Sequence, residues 1–276
     1  MATVRDKLWM FGVRAHQDDI WLGKVRTPDR IRFRSRITPA EAALMLDIPN
    51  MMMINCEGEP VPYSEDAYGY AESFITMDNV LWGATGSGGF RIGNEEKFIC
   101  ELASKYPNIR GAFCDDLLGS GSKLTFDERR EKHLGIIKTV REGLSNACRP
   151  MEVHAVWYIH TAERVAREVV DQIDVLSMWT WNCADLDHIE DTWDYFVEHC
   201  PNNRRMIGIY MFDFPTGMPI SIERMEHQCE FALKMLKEKK IEGIIIETNS
   251  VMGVGFESEL WLRDWIKKVK NIEIPD

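Results

Sequence analysis

No Cys-x-x-Cys pair occurs among the seven cysteines, Cys56, Cys100, Cys114, Cys148, Cys183, Cys200 and Cys229, and their number is odd. Scattered thiols of that kind do not make a disulfide or zinc framework. They suit reduced core positions in a reducing compartment, where free cysteine behaves as a small buried hydrophobe. No apolar run approaches the roughly 18 residues of a membrane span, and the first ten residues are too mixed in charge for a signal peptide. Basic charge is also in short supply: 33 Lys and Arg stand against 44 Asp and Glu, a formal net charge of −11. A nucleic-acid partner calls for a basic face that releases counterions, so the balance argues against one. A cytoplasmic location, no membrane and no nucleic-acid partner, and a neutral or cationic small ligand are the expectations. Oligomeric state is left open.

Also missing are a Pro/Ser-rich linker, a low-complexity run and any shift of composition along the 276 residues. One domain, 1–276, is therefore expected, and 45% hydrophobic residues supply ample core. What the chain does have is a rhythm. Short apolar runs at 8–14, 51–55, 79–83, 111–115, 154–160, 175–182, 207–212 and 243–248 each end in polar or aromatic residues and lead through a loop into an amphipathic helix. Strands alternating with helices imply parallel pairing with crossover helices. Eight such units in a chain of this length predict an α/β fold, a single-domain (β/α)8 TIM barrel, with its site at the C-terminal ends of the strands.

Helix starts are marked. Thr38-Pro-Ala-Glu41 and Thr125-Phe-Asp-Glu128 are capping boxes for helices 1 and 4. Helix 7 begins near Ser221 with Ile222, Met225, Cys229, Ala232 and Leu236 as an apolar stripe; helix 8, from about Ser258, does the same with Trp261, Trp265 and Val269.

The strand ends collect one kind of chemistry. Strand 1 closes with Arg14, His16, Gln17, Asp18 and Asp19, strand 2 with Asn55, Glu57 and Glu59, and strand 3 with Trp82 and Thr85. Strand 4 closes with Asp115 and Asp116, strand 5 with Trp157, Tyr158 and His160, and strand 6 with Trp179, Thr180, Trp181 and Asn182. Strand 7 brings Tyr210, Phe212 and Asp213, and strand 8 brings Glu247, Thr248 and Asn249. Asp115, Asp116, Asp213 and Glu247 each follow a strongly apolar run, where partial desolvation raises a carboxyl pKa and prepares it for acid work. Two carboxyl groups with separated pKa values are what glycosidic cleavage needs. The strand-4 pair is expected to supply one and Asp213 or Glu247 the other. Side chains alternate along a strand, so Asp115 and Asp116 cannot both face the site unless the strand has ended. The sequence leaves that choice open.

Flat rings with a polar handle stack on the apolar faces of sugars. Candidate substrate-binding residues are accordingly Arg14, His16, Glu57, Trp82, Tyr158, His160, Trp179, Trp181, Asn182 and Tyr210, with some of the tryptophans expected on the outer wall instead. Residues 83–93 and 119–123 are glycine-rich but match no phosphate-binding fingerprint, and are expected to be mobile loops beside the site. No His-x-His follows strand 1 and no His-Glu-x-x-His occurs, so no metal ligand set is assigned and no cofactor is required. Ligands spread over several strands would leave no short motif, and a divalent metal is therefore kept as an alternative.

Tyr210-Met-Phe-Asp213 followed by Met218-Pro-Ile, His227-Gln-Cys in helix 7, Ile241-Glu-Gly243 and Gly111-Ala-Phe-Cys-Asp-Asp116 resemble a group of uncharacterised bacterial TIM-barrel proteins filed near glycoside hydrolases. The resemblance implies a barrel and a carbohydrate context and carries over no catalytic residue. Glycosidase clans that act through strand-4 and strand-7 carboxylates place Asn-Glu on strand 4, where this chain has Cys114-Asp115. The expected function is a glycosidase acting on a carbohydrate or glycoside. The alternatives are a metal-dependent sugar isomerase, epimerase or lyase, and a non-catalytic sugar-binding barrel.

Overall fold

The computed structural model describes residues 1–25 and 34–274. Eight strands, β1 (Leu8–Gly12), β2 (Asn50–Met53), β3 (Asn79–Thr85), β4 (Ile109–Cys114), β5 (Glu152–Tyr158), β6 (Val175–Trp179), β7 (Arg204–Tyr210) and β8 (Gly243–Glu247), close into a barrel in the order β1-β8-β7-β6-β5-β4-β3-β2. Parallel pairing joins β1 to β8 and runs from β3 through β4 and β5 to β6. Between the strands run α1 (Pro39–Leu46), α2 (Glu65–Ser73), α3 (Glu95–Lys105), α4 (Phe126–Leu144), a single turn α5 (Arg167–Val170), α6 (Ile189–His199), α7 (Ile222–Lys237) and α8 (Glu257–Val269). This is the (β/α)8 barrel that the sequence predicts. Its residues group into two compact units, one of Met1–Met51, Thr180–Ile189 and Ile207–Asp276 and the other of Met52–Trp179 and Glu190–Met206.

Both predicted capping boxes form: Thr38 accepts from the amide of Glu41 and Thr125 from that of Glu128, with each glutamate reaching back. Ser221 caps α7. The stripe on α7 is buried at Met225, Cys229, Ala232 and Leu236, and on α8 Trp265 is buried while Trp261 is partly exposed.

Several strands stop earlier than predicted, each for a local reason. β1 ends at Gly12 because the amide of Val13 leaves the ladder for Asn249 Oδ1 at 2.8 Å. β5 ends at Tyr158, and a helical turn from Ile159 to Ala162 takes over, so His160 is not a strand residue. After β7, Phe212 and Asp213 leave the barrel and pair with Pro219 and Met218 in a two-residue antiparallel ladder.

Alternation and register then fix which face each residue takes. Within Met52–Trp179, the Trp82 ring lies 5.6 Å from Phe98 of α3 and 6.3 Å from Phe74, on the outer wall. Gly83 therefore points inward, as does Phe113, its partner on β4. The Trp157 ring, 4.7 Å from Phe196, is also outside, which puts Ala155 and its partner Cys114 outside and Asp115 next on the inner face. Met178 pairs with Trp157, so Trp179 and Ser177 point inward. In the other unit, a Cβ on Gly12 would meet Pro39 Cβ and Met51 Sδ at 2.8 Å each. Gly12 therefore faces α1, Phe11 faces inward, and so does its partner Glu247.

Candidate active site

Asp115 is 6% exposed, on the inner face at the C-terminal end of β4. Its backbone is locked to the end of β3, with Thr85 Oγ1 donating to Asp115 O at 2.6 Å and Asp115 N donating to Thr85 O at 3.2 Å. Burial, and then the neighbouring charge of Asp116, push its pKa well above the ordinary carboxylate value. Cys114, on the outer face, is pushed up to about 12 by burial and stays a thiol.

Asp116 breaks the alternation with φ +47°. A non-glycine residue in the left-handed region costs of order 1–3 kcal/mol and clusters at functional sites. That turn directs its Oδ2 to the amide of Gly88 at 2.9 Å. The open question of the sequence resolves here: only Asp115 continues the inner face, and Asp116 is tied to the loop after β3. His16 (φ +69°) and Glu57 (φ +53°), after β1 and β2, share the left-handed conformation.

The two glycine-rich stretches lie against each other. Gly86 N donates to Phe90 O at 2.9 Å, and a Cβ on Gly89 would lie 2.7 Å from Ser120 Cβ. Ser120, buried, accepts from Lys132 Nζ at 3.1 Å and lies 3.3 Å from His133 Nε2. His133 is wholly buried on α4, and desolvation pulls its pKa down to about 4, which keeps the ring neutral. Sequence reasoning missed Ser120 and His133. The Gly-Ser-Gly-Ser spacing was their only local signal, and it reads equally well as a flexible loop.

In the other unit, Asp213 is buried and accepts from Thr216 Oγ1 at 2.5 Å. Cys183 stands beside it, its pKa raised by burial and then by that carboxylate. Trp181, half-buried, stacks on Phe214 with ring centroids 5.7 Å apart and planes 5° from parallel, and Tyr210 meets the same Trp181 ring edge-on at 6.1 Å. Arg14 Nε donates to Gln17 Oε1 at 2.7 Å, and exposed His16 pairs with Asp19 at 3.3 Å beside the Arg36 guanidinium. Asn182 is exposed and donates to Asp185 at 3.2 Å.

The remaining aromatic expectations divide. Trp82, 0% exposed on the outer wall, is core and does not reach the rim. Trp179 points inward but is 1% exposed, its Nε1 donating to Ser177 Oγ at 2.8 Å. Tyr158 is inward and nearly buried, with the exposed His160 ring 5.1 Å away. Glu57 is exposed. Among the described residues, no group of three or more His, Cys, Asp or Glu side chains is placed to hold a metal ion.

No known sequence family and no curated protein matches the chain. Solved structures do. The GH99 endo-α-mannosidase from Bacteroides thetaiotaomicron aligns over 96% of this chain and 97% of its own at 7% identity and TM-score 0.57. Catalytic domain 2 of the Ostrinia furnacalis Group II chitinase aligns over 99% and 98% at 11% identity and TM-score 0.52. Pyruvate kinase from Pyrobaculum aerophilum aligns over 98% of this chain and 72% of its own at 10% identity and TM-score 0.52. Likeness at such identities establishes the fold, and barrels host many chemistries.

Proposed function

We propose that this barrel is a glycosidase that hydrolyses a carbohydrate or glycoside by carboxylate acid/base catalysis at the C-terminal face. The observation that carries the reading is Asp115: a buried carboxyl on the inner face, at the rim where barrel enzymes react, with its proton held by desolvation and by a second acid beside it. Asp115 donates that proton to the glycosidic oxygen as the C–O bond breaks. A second carboxylate either attacks the anomeric carbon or takes a proton from the attacking water. One water is consumed and each product ends as a hydroxyl. Asp213 has one oxygen fixed by Thr216, and Glu247 stands on the inner face of β8. Trp181, backed by Phe214, offers a flat partly exposed ring to a sugar face. Glycoside hydrolases among the structural neighbours support the reading at the level of fold. The seven free thiols suit a cytoplasmic setting.

The test is hydrolysis of a panel of 4-nitrophenyl glycosides, with and without a chelator. Asp115→Asn is expected to lower turnover by about 10²–10⁴-fold, the usual yield of a positioned acid. Full activity in that variant removes Asp115 from the mechanism. No hydrolysis of any glycoside, together with a chelator-sensitive conversion of free sugars, replaces the hydrolase with a metal-dependent isomerase, epimerase or lyase.

A further inference from the structure

One buried polar group near β3 is unused by the chemistry above. Asn55, 4% exposed, follows β2 and donates from Nδ2 to the carbonyl of Gly83 at 3.2 Å. A carbonyl can only accept, so the orientation of the carboxamide is fixed by this bond. Its Oδ1 is then left buried with no hydrogen-bond partner among the described residues. An unmet buried acceptor is costly and calls for an explanation.

The surroundings are shaped for this side chain. A Cβ on Gly83 would stand 3.2 Å from Asn55 Oδ1 and 2.8 Å from the backbone nitrogen of Asn55, and one on Gly86 would fall 1.8 Å from its backbone carbonyl oxygen. Gly83 points inward, so the carboxamide occupies inner-face space that any other residue at 83 would fill. Across β3, on the inner face of β4, stands Asp115. Strands are spaced about 4.8 Å apart, so the carboxamide, lying over Gly83 of β3, is about one strand spacing from β4. One edge of a sugar ring can then meet both side chains.

We propose that the ends of β2 and β4 form a subsite for one ring of a neutral sugar, in which a ligand hydroxyl donates to Asn55 Oδ1 while Asp115 serves a neighbouring position on the same edge of the ring. The inference deepens the glycosidase reading and rests on it for the role of Asp115. A neutral amide acceptor beside a carboxyl that keeps its proton favours an uncharged polyol over an anionic sugar, in keeping with the acidic chain.

The experiment is an NMR titration of the full chain, labelled with ¹⁵N in asparagine side chains, with D-glucose, D-mannose, D-galactose, L-fucose and N-acetyl-D-glucosamine in turn. The Asn55 amide signal is assigned by its absence from Asn55→Asp. At least one sugar is expected to shift it. Asn55→Leu is expected to weaken that sugar about tenfold, the loss of one good hydrogen bond, and Asn55→Asp, which keeps an acceptor, to weaken it less. A panel that leaves the Asn55 signal unmoved overturns the subsite, as does unchanged affinity in a folded Asn55→Leu. The wild-type titration decides even if that variant does not fold. Glycoside hydrolysis measured alongside separates the two claims. Sugar binding at Asn55 without turnover of any glycoside defeats the hydrolase and keeps the subsite. Turnover by Asn55→Leu at unchanged KM defeats the subsite and keeps the hydrolase.

Discussion

At the scale of single residues, the same burial that equips Asp115 for acid work makes it a liability to the fold. Its folded pKa is raised, so its contribution to stability is complete below the ordinary Asp value near 4 and is lost as pH climbs through the folded value. Asp115→Asn cannot ionise. It is therefore expected to melt above wild type at neutral pH, by a margin that shrinks to nothing near pH 4, while losing turnover. Thermal melts across pH check this, and a melting point below wild type at pH 7 would mark Asp115 as a structural anchor. His133 has the opposite sign. Its folded pKa is depressed to about 4, so the stability it contributes is present above its unfolded value near 6.5 and is lost as pH falls from there toward 4. The full loss is of order 3 kcal/mol. Denaturant melts at pH 7 and pH 4 should show it, and His133→Gln should flatten the difference.

Among elements, tryptophans of similar sequence context do different work because of the faces their strands present. Trp82 and Trp181 both follow apolar runs, yet β3 turns the first onto Phe98 of α3, while the segment after β6 leaves the second half-exposed on Phe214. Trp82→Ala should cost about 3–5 kcal/mol in unfolding free energy, as large core truncations do, with KM little changed in whatever folds. Trp181→Ala should raise KM with little loss of stability, and the reverse pattern in a paired melt and kinetic assay would exchange their roles. Sequence period exposed the strands and helices but not the phase of each strand, which is why Trp82 could not be told from a rim residue. That phase is set by register between chain segments, as in Trp157 with Met178 and Cys114 with Ala155.

For the whole molecule, the barrel was legible because eight repeats of one pattern leave few closed arrangements, and the capping boxes at Thr38 and Thr125 placed two helices directly. The acids at the strand ends were legible as types in positions. What could not be read was how loops hold them: the tie from Gly88 to Asp116, the support of Ser120 by His133, and the cradle of Asn55 by two glycines all join residues distant in sequence. His16, Glu57 and Asp116 carry a last implication, since each keeps a full side chain where glycine would rest more easily. Under selection for survival of heat alone, with no demand on activity, these three codons should drift toward glycine or asparagine. Under selection for turnover, Asp116 should resist that drift. Sequencing the two evolved populations would reveal which of the three the organism retains for its chemistry and which it merely tolerates.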